Sequence, residues 1–161
     1  GFENNFVIEN PGEYETNDDF FYVDFCKNKD GGNPLIFKLN VEDINIVNLN
    51  NIDHKLELSE SENSTNYENI IDSKLDILIL PIGEEFLDVK DAIAIKNELS
   101  PKIVIAINYN LDSEKDQKKF QEFRSAFTVV SDPQDKFKIT KKNLSGGQDD
   151  ETMLVILNKT K

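Results

Sequence analysis

The sequence predicts an α/β domain built around a strand–helix–strand unit. Residues 75–80 and 102–107 are near-continuous apolar runs of strand length, as expected of strands buried on both faces. Between them Val89, Ala92, Ile93 and Leu99 recur at helical spacing, and Pro101 marks the exit. Two strands joined in this way require a parallel crossover, which is right-handed in nearly all proteins.

The remaining elements follow in order. Alternation over residues 20–26 reads as a strand, closed by a turn at Asp30-Gly31-Gly32-Asn33. Residues 35–39 and 44–49 are two further strands, and the four positions 40–43 between them suit a hairpin. Residues 57–69 are rich in Ser, Asn and Glu, and read as a solvated loop leading into a short helix over 67–73. A second long helix is predicted over 113–127, with Ser113 and Asp116 as a capping pair. Its Phe120, Phe123 and Phe127 line one face, a core stripe. Short strands are expected at 128–130, 137–139 and 153–157, and residues 144–148 read as a loop. No repeat or low-complexity linker divides the chain, so residues 1–161 are expected to form one domain.

Composition narrows the partners. The 161 residues carry 31 acidic and 18 basic side chains, a formal charge of −13, which repels phosphate backbones and anionic membranes. No apolar run reaches the ~18–20 residues that a spanning helix needs. Neither nucleic-acid binding nor membrane insertion is therefore expected. The single cysteine, Cys26, forms no internal disulfide and reads as a small buried hydrophobe, which favours a reducing, cytoplasmic setting. The chain opens Gly1-Phe2 without Met and without a signal-peptide pattern, as a processed or partial product would.

Common catalytic arrangements are missing. His54 is the only histidine, and no serine lies in a Gly-x-Ser-x-Gly elbow. Phosphate-binding glycine loops are absent, His54 and Cys26 are too few for a zinc site, and no stretch has EF-hand spacing. The acidic stretch 57–62 reads as solvated loop rather than a recruiting motif.

Five phrases, in order, resemble the metallo-β-lactamase superfamily, in particular the metal-dependent hydrolases similar to ascorbate-6-phosphate lactonase. They are Pro11-Gly12-Glu13-Tyr14-Glu15, the segment 33–38, the segment 46–56, Leu75-Asp76-Ile77-Leu78-Ile79-Leu80-Pro81-Ile82-Gly83, and Pro101-Lys102-Ile103-Val104-Ile105-Ala106-Ile107-Asn108-Tyr109. Asp88 and Ala92 also fall where that family's following helix carries Asp and Ala. The resemblance covers residues 8–160 and implies a partial αββα sandwich with a mixed sheet, lacking the family's N-terminal metal-binding half.

The departures from that pattern bear on function. The family's His-x-His-x-Asp-His loop would precede residue 11. Its bridging Asp falls on Asn51, its last His ligand on Asn108, and the second Gly of the turn after Pro81 on Glu84. A neutral amide binds transition metals far more weakly than carboxylate or imidazole. The resemblance thus implies a vestigial cleft drawn from Asn51, Asp53, His54, Asn108 and Tyr109, with no catalytic residue, metal or cofactor. His54 reads as a surface residue and Tyr109 as a packed one, while Asn51 and Asn108 read equally as a pair bonded across the cleft or as two ordinary strand-end residues.

The expected function is a non-catalytic, structural or protein-interaction module. The alternative is the C-terminal part of a metal-dependent phosphoester or lactone hydrolase, with its metal-binding loop upstream or on a partner chain. A ligand-binding cleft without chemistry is a third reading. A half-sandwich leaves edges and apolar faces to be covered, so a protein partner or self-association is expected.

Overall fold

The computed structural model describes residues 10, 12–16, 19–25, 35–50, 52–53, 74–144 and 151–158. The expected turn at 30–33, the loop and helix over 57–73, and Cys26, Asn51 and His54 lie outside the described residues.

The first half of the chain is antiparallel. Strands β1 (Gly12–Thr16), β2 (Asp19–Phe25), β3 (Leu35–Val41) and β4 (Ile44–Asn48) pair in sequence order. The β3–β4 hairpin is tighter than the sequence suggested. Asn40 and Val41 stay in the ladder opposite Asn45 and Ile44, and the Asn40 side-chain amide donates to Asn45 Oδ1 at 2.8 Å. Only Glu42 and Asp43 turn, with φ of 49° and 62°, the left-handed pair whose twist matches that of the flanking strands.

Parallel pairing takes over after β4. Strands β5 (Ile77–Pro81), β6 (Ile103–Ile107), β7 (Val129–Val130) and β8 (Met153–Val155) complete a mixed sheet ordered β1-β2-β3-β4-β5-β6-β8-β7. Helix α1 (Val89–Leu99) bridges β5 and β6, as the apolar spacing predicts. The Asp88 carboxylate caps its first turn by accepting from Val89 N–H at 2.8 Å. Ser100 stops it in the left-handed conformation, donating its N–H to Lys96 O, and Pro101 follows. Helix α2 (Glu114–Arg124) is capped by Ser113, which accepts from Asp116 N–H. A four-residue α3 (Lys141–Leu144) precedes β8, so Leu144, expected in a loop, ends a helical turn.

The alternation along β5, β6 and β8 divides the core in two. Leu78, Leu80, Val104, Ala106 and Leu154 face α1 and α2, against Ala92, Ile95, Phe120 and Phe123. Ile77, Ile103 and Val155 face the other way, with half-buried Ile46, Ile79 and Ile105 beside them. Strands β5, β6 and β8 are thus apolar on both sides, which explains the uninterrupted runs in the sequence. Residues 137–139, expected to be a strand, join no ladder. Their alternation arises because half-buried Phe137 and Ile139 pack onto this second face while Lys138 points to solvent.

One charge is buried where three strands begin. Asp76, 1% exposed, accepts Asn45 N–H at Oδ2 (3.1 Å) and meets Lys141 Nζ at 2.9 Å and Lys102 Nζ at 3.2 Å. Its backbone donates to Asn45 O and accepts from Ile103 N–H, so one residue joins β4, β5 and β6. Burial opposes its charge, but Lys141, the Asn45 N–H and Lys102 together hold its carboxyl below the ordinary value of 3.8. A depressed folded value means that this stability is present above 3.8 and is lost as pH falls through the folded value. Asp76→Asn should therefore cost about 2 kcal/mol at neutral pH, the worth of hydrogen bonds to a charged group. In urea titrations, the difference from the parent should shrink as pH is lowered below 3.8.

Candidate functional site

The resemblance locates its cleft where β4, β5 and β6 end. There Leu49 N–H donates to Ile79 O at 3.1 Å, and Ile82 N–H donates to Ile107 O at 3.0 Å, so the three exits lie side by side. Each chain then turns sharply. Asn50 adopts φ 37°, its N–H held by Asn48 Oδ1 at 2.9 Å, and Asn108 adopts φ 59°. Asparagine tolerates this left-handed region better than most residues, a local reason for amides at these exits.

The β5 and β6 exits are in backbone contact. A Cβ added to Gly83 would lie 1.8 Å from Asn108 O, inside any permitted approach. Glycine at 83 is what allows the two turns to nest. Lys119 of α2 then secures the β5 exit, donating to Gly83 O at 3.0 Å and reaching Leu87 O at 3.5 Å. Lys115 pairs with Glu84 at 2.5 Å on the surface, which raises the Lys115 pKa.

Of the five cleft candidates, Asp53, Asn108 and Tyr109 are described; Asn51 and His54 are not. Asn108 is exposed and Asp53 half-buried. Tyr109 stacks on Phe120 at 4.6 Å with a 19° interplanar angle, and burial raises its hydroxyl above the ordinary value of 10.0. The packed-residue reading of Tyr109 fits that geometry, since its ring belongs to the core under α2.

A residue valued only as a capping partner emerges here. Asp116, 6% exposed, accepts Asn110 N–H at Oδ2 (2.6 Å), while Asn110 O accepts Ser113 N–H. The carboxylate therefore ties the β6 exit loop to α2 instead of closing a reciprocal box with Ser113. Its Oδ1 has no hydrogen-bond partner among the described residues. The sequence signal, an Asp three residues after a Ser cap, is the same for both arrangements.

A family-type metal centre needs several ligand side chains converging on one point. Among the described residues no three His, Cys, Asp or Glu side chains gather where they could hold an ion, and Asp116 contributes a solitary buried oxygen. Asn108 offers a neutral amide. These residues do not fit such a centre.

Neither a family model nor a curated protein matches the sequence. Solved structures do. A Thermotoga maritima protein of the metallo-β-lactamase superfamily, proposed to be a Zn-dependent hydrolase, superposes with a TM-score of 0.68 at 20% identity, over 96% of this chain and 73% of that one. The metallo-β-lactamase fold protein YhfI from Bacillus subtilis superposes with a TM-score of 0.55 at 8% identity, over 92% of this chain and 51% of its own, about half its length.

The nested turns give a direct test. Gly83→Ala should destabilise by about 3 kcal/mol, the upper end for overpacking, because the clash is with backbone that cannot rotate away. Asn108→Ala should melt below Asn108→Gly, since glycine adopts φ 59° freely and alanine does not. Thermal melts of these variants check the backbone constraint at both turns. With an eight-stranded mixed sheet among the described residues, α1 and α2 on one face and these neighbours, the chain carries the metallo-β-lactamase fold.

Proposed function

We propose that this chain is a non-catalytic metallo-β-lactamase-fold module with a structural or protein-interaction role. The observation that carries the reading is the donor set at the strand exits. Asn108 stands where the resemblance implies a histidine, and no group of three metal-binding side chains gathers among the described residues. Without a Lewis acid, water at the strand ends has no route to a low pKa. Its turn is nonetheless built in detail, through Gly83, Lys119 and Asp116. Those contacts serve shape as well as they would serve catalysis.

The interaction half of the reading rests on the second sheet face. Ile46, Ile79, Ile105 and Leu157 are half-buried there, an aliphatic surface in a chain with a charge of −13. Such a face in water favours association, with itself or with another chain.

A second reading keeps the fold's chemistry. This segment would be the C-terminal part of a metal-dependent phosphoester or lactone hydrolase whose ligands come from an upstream segment or a partner chain. The 73% coverage of the Thermotoga protein favours it, because that protein has further chain beyond the matched part.

Metal titration separates the two. Under the first reading, zinc or manganese leaves the melting temperature unchanged and elemental analysis finds no stoichiometric metal. Bound metal at one or two ions per chain would overturn it. Metal-dependent hydrolysis by a longer form, lost when its added histidines are replaced, would establish the second. Sedimentation should show self-association or a stable hetero-complex, weakened by Ile105→Lys on the second face; a monomer with no partner would remove the interaction role.

A further inference from the structure

A cavity of about 600 Å³ opens at the opposite end of the sheet from the strand exits, where β5, β6 and β8 begin and α1 ends. That volume lies within the ~300–1,000 Å³ usual for small-molecule sites. Its wall is chemically divided. Ile103, Ile139, Leu144 and Met153 form an apolar side, continuous with the second core. Lys74, Lys96 and Lys102 form the other.

The charge there runs against the rest of the chain. Across the sequence acidic side chains outnumber basic ones, 31 to 18, yet three lysines line this cavity, and Glu151 is the only carboxylate among the described lining residues. The buried Asp76 behind them does not restore the balance, because Lys102 and Lys141 both already share it. Lys96 complements the carbonyl end of α1 and lies 5.2 Å from the centre of the Phe127 ring. Neither contact neutralises it. The hydroxyls already donate to backbone carbonyls, Ser100 Oγ to Asn97 O at 3.0 Å and Thr152 Oγ1 to Pro101 O at 2.7 Å. The Lys74 and Lys96 ammonium groups are left as the chief donors that a ligand would meet, with Lys102 shared with Asp76.

We propose that this cavity binds a small amphiphilic anion, a carboxylate, sulfonate or phosphate headgroup on an apolar body. The headgroup sits among Lys74, Lys96 and Lys102, and the body lies against Ile103, Leu144 and Met153. This inference is independent of whether the strand exits hold metal.

Anilinonaphthalene sulfonate is a suitable probe, with uncharged N-phenylnaphthylamine as its neutral counterpart. The fluorescence titration should saturate at one sulfonate per chain, and the neutral dye should bind at least about tenfold more weakly. Lys74→Gln combined with Lys96→Gln should weaken sulfonate binding about tenfold, while Lys118→Gln on the exposed face of α2 should not change it. Amide NMR shifts should cluster at Ser100, Ile103 and Met153, and melting temperatures verify that the variants fold. Equal affinity for both dyes, insensitivity to the paired lysine substitutions, or shifts centred on Ile79 and Ile105 or on Asn108 would each overturn the proposal.

Discussion

The structure depends on one constraint: β5 and β6 are apolar on both sides, so both faces of the sheet need cover. Leu78, Leu80, Val104 and Ala106 demand a layer on one side, and α1 and α2 supply it with Ala92, Ile95, Phe120 and Phe123. Ile77, Ile79, Ile103 and Ile105 make the same demand on the other side. Residues 137–144 answer part of it, through Phe137, Ile139 and Leu144, and leave Ile79 and Ile105 half-buried. The proposed partner and the apolar wall of the distal cavity both follow from a second layer that, among the described residues, covers this face only in part.

Polar groups then fix the register that hydrophobic cover leaves open. Apolar packing is non-directional, whereas a one-residue slip along any of these strands would exchange the two faces. Asp76 prevents that at the start of the strands by bonding to Asn45 on β4 and to Ile103 on β6. Gly83 and Asn108 do so at the exits, where their backbones nest. A buried carboxylate at one end thus joins β4, β5 and β6, and a glycine contact at the other joins β5 and β6.

The sequence disclosed these features unequally, for physical reasons. The β5–α1–β6 unit was legible because double burial leaves an unbroken apolar run and α1 carries one clear stripe. Strand β1 was not assigned from its pattern, because Glu13 and Glu15 are exposed on an edge strand, where charge is expected and hides the alternation. Residues 137–139 showed the opposite failure. Their alternation is real, but it records packing onto a sheet face and no pairing along an edge. Asp76 passed as an interruption in an apolar run, since its partners Lys141 and Lys102 lie far along the chain. In the cleft, Tyr109 was legible as a packed ring, and Asp116 was visible only as half of a cap.

The asparagines at the strand exits answer a backbone constraint. Positions 50 and 108 both take left-handed backbone angles, which cost most side chains energy but cost asparagine little. Asparagine at 108 keeps that cost small while preserving the turn that nests on Gly83. Gly83 and Asp116 hold the shape of the β5 and β6 exits through backbone packing and a hydrogen bond to Asn110 N–H.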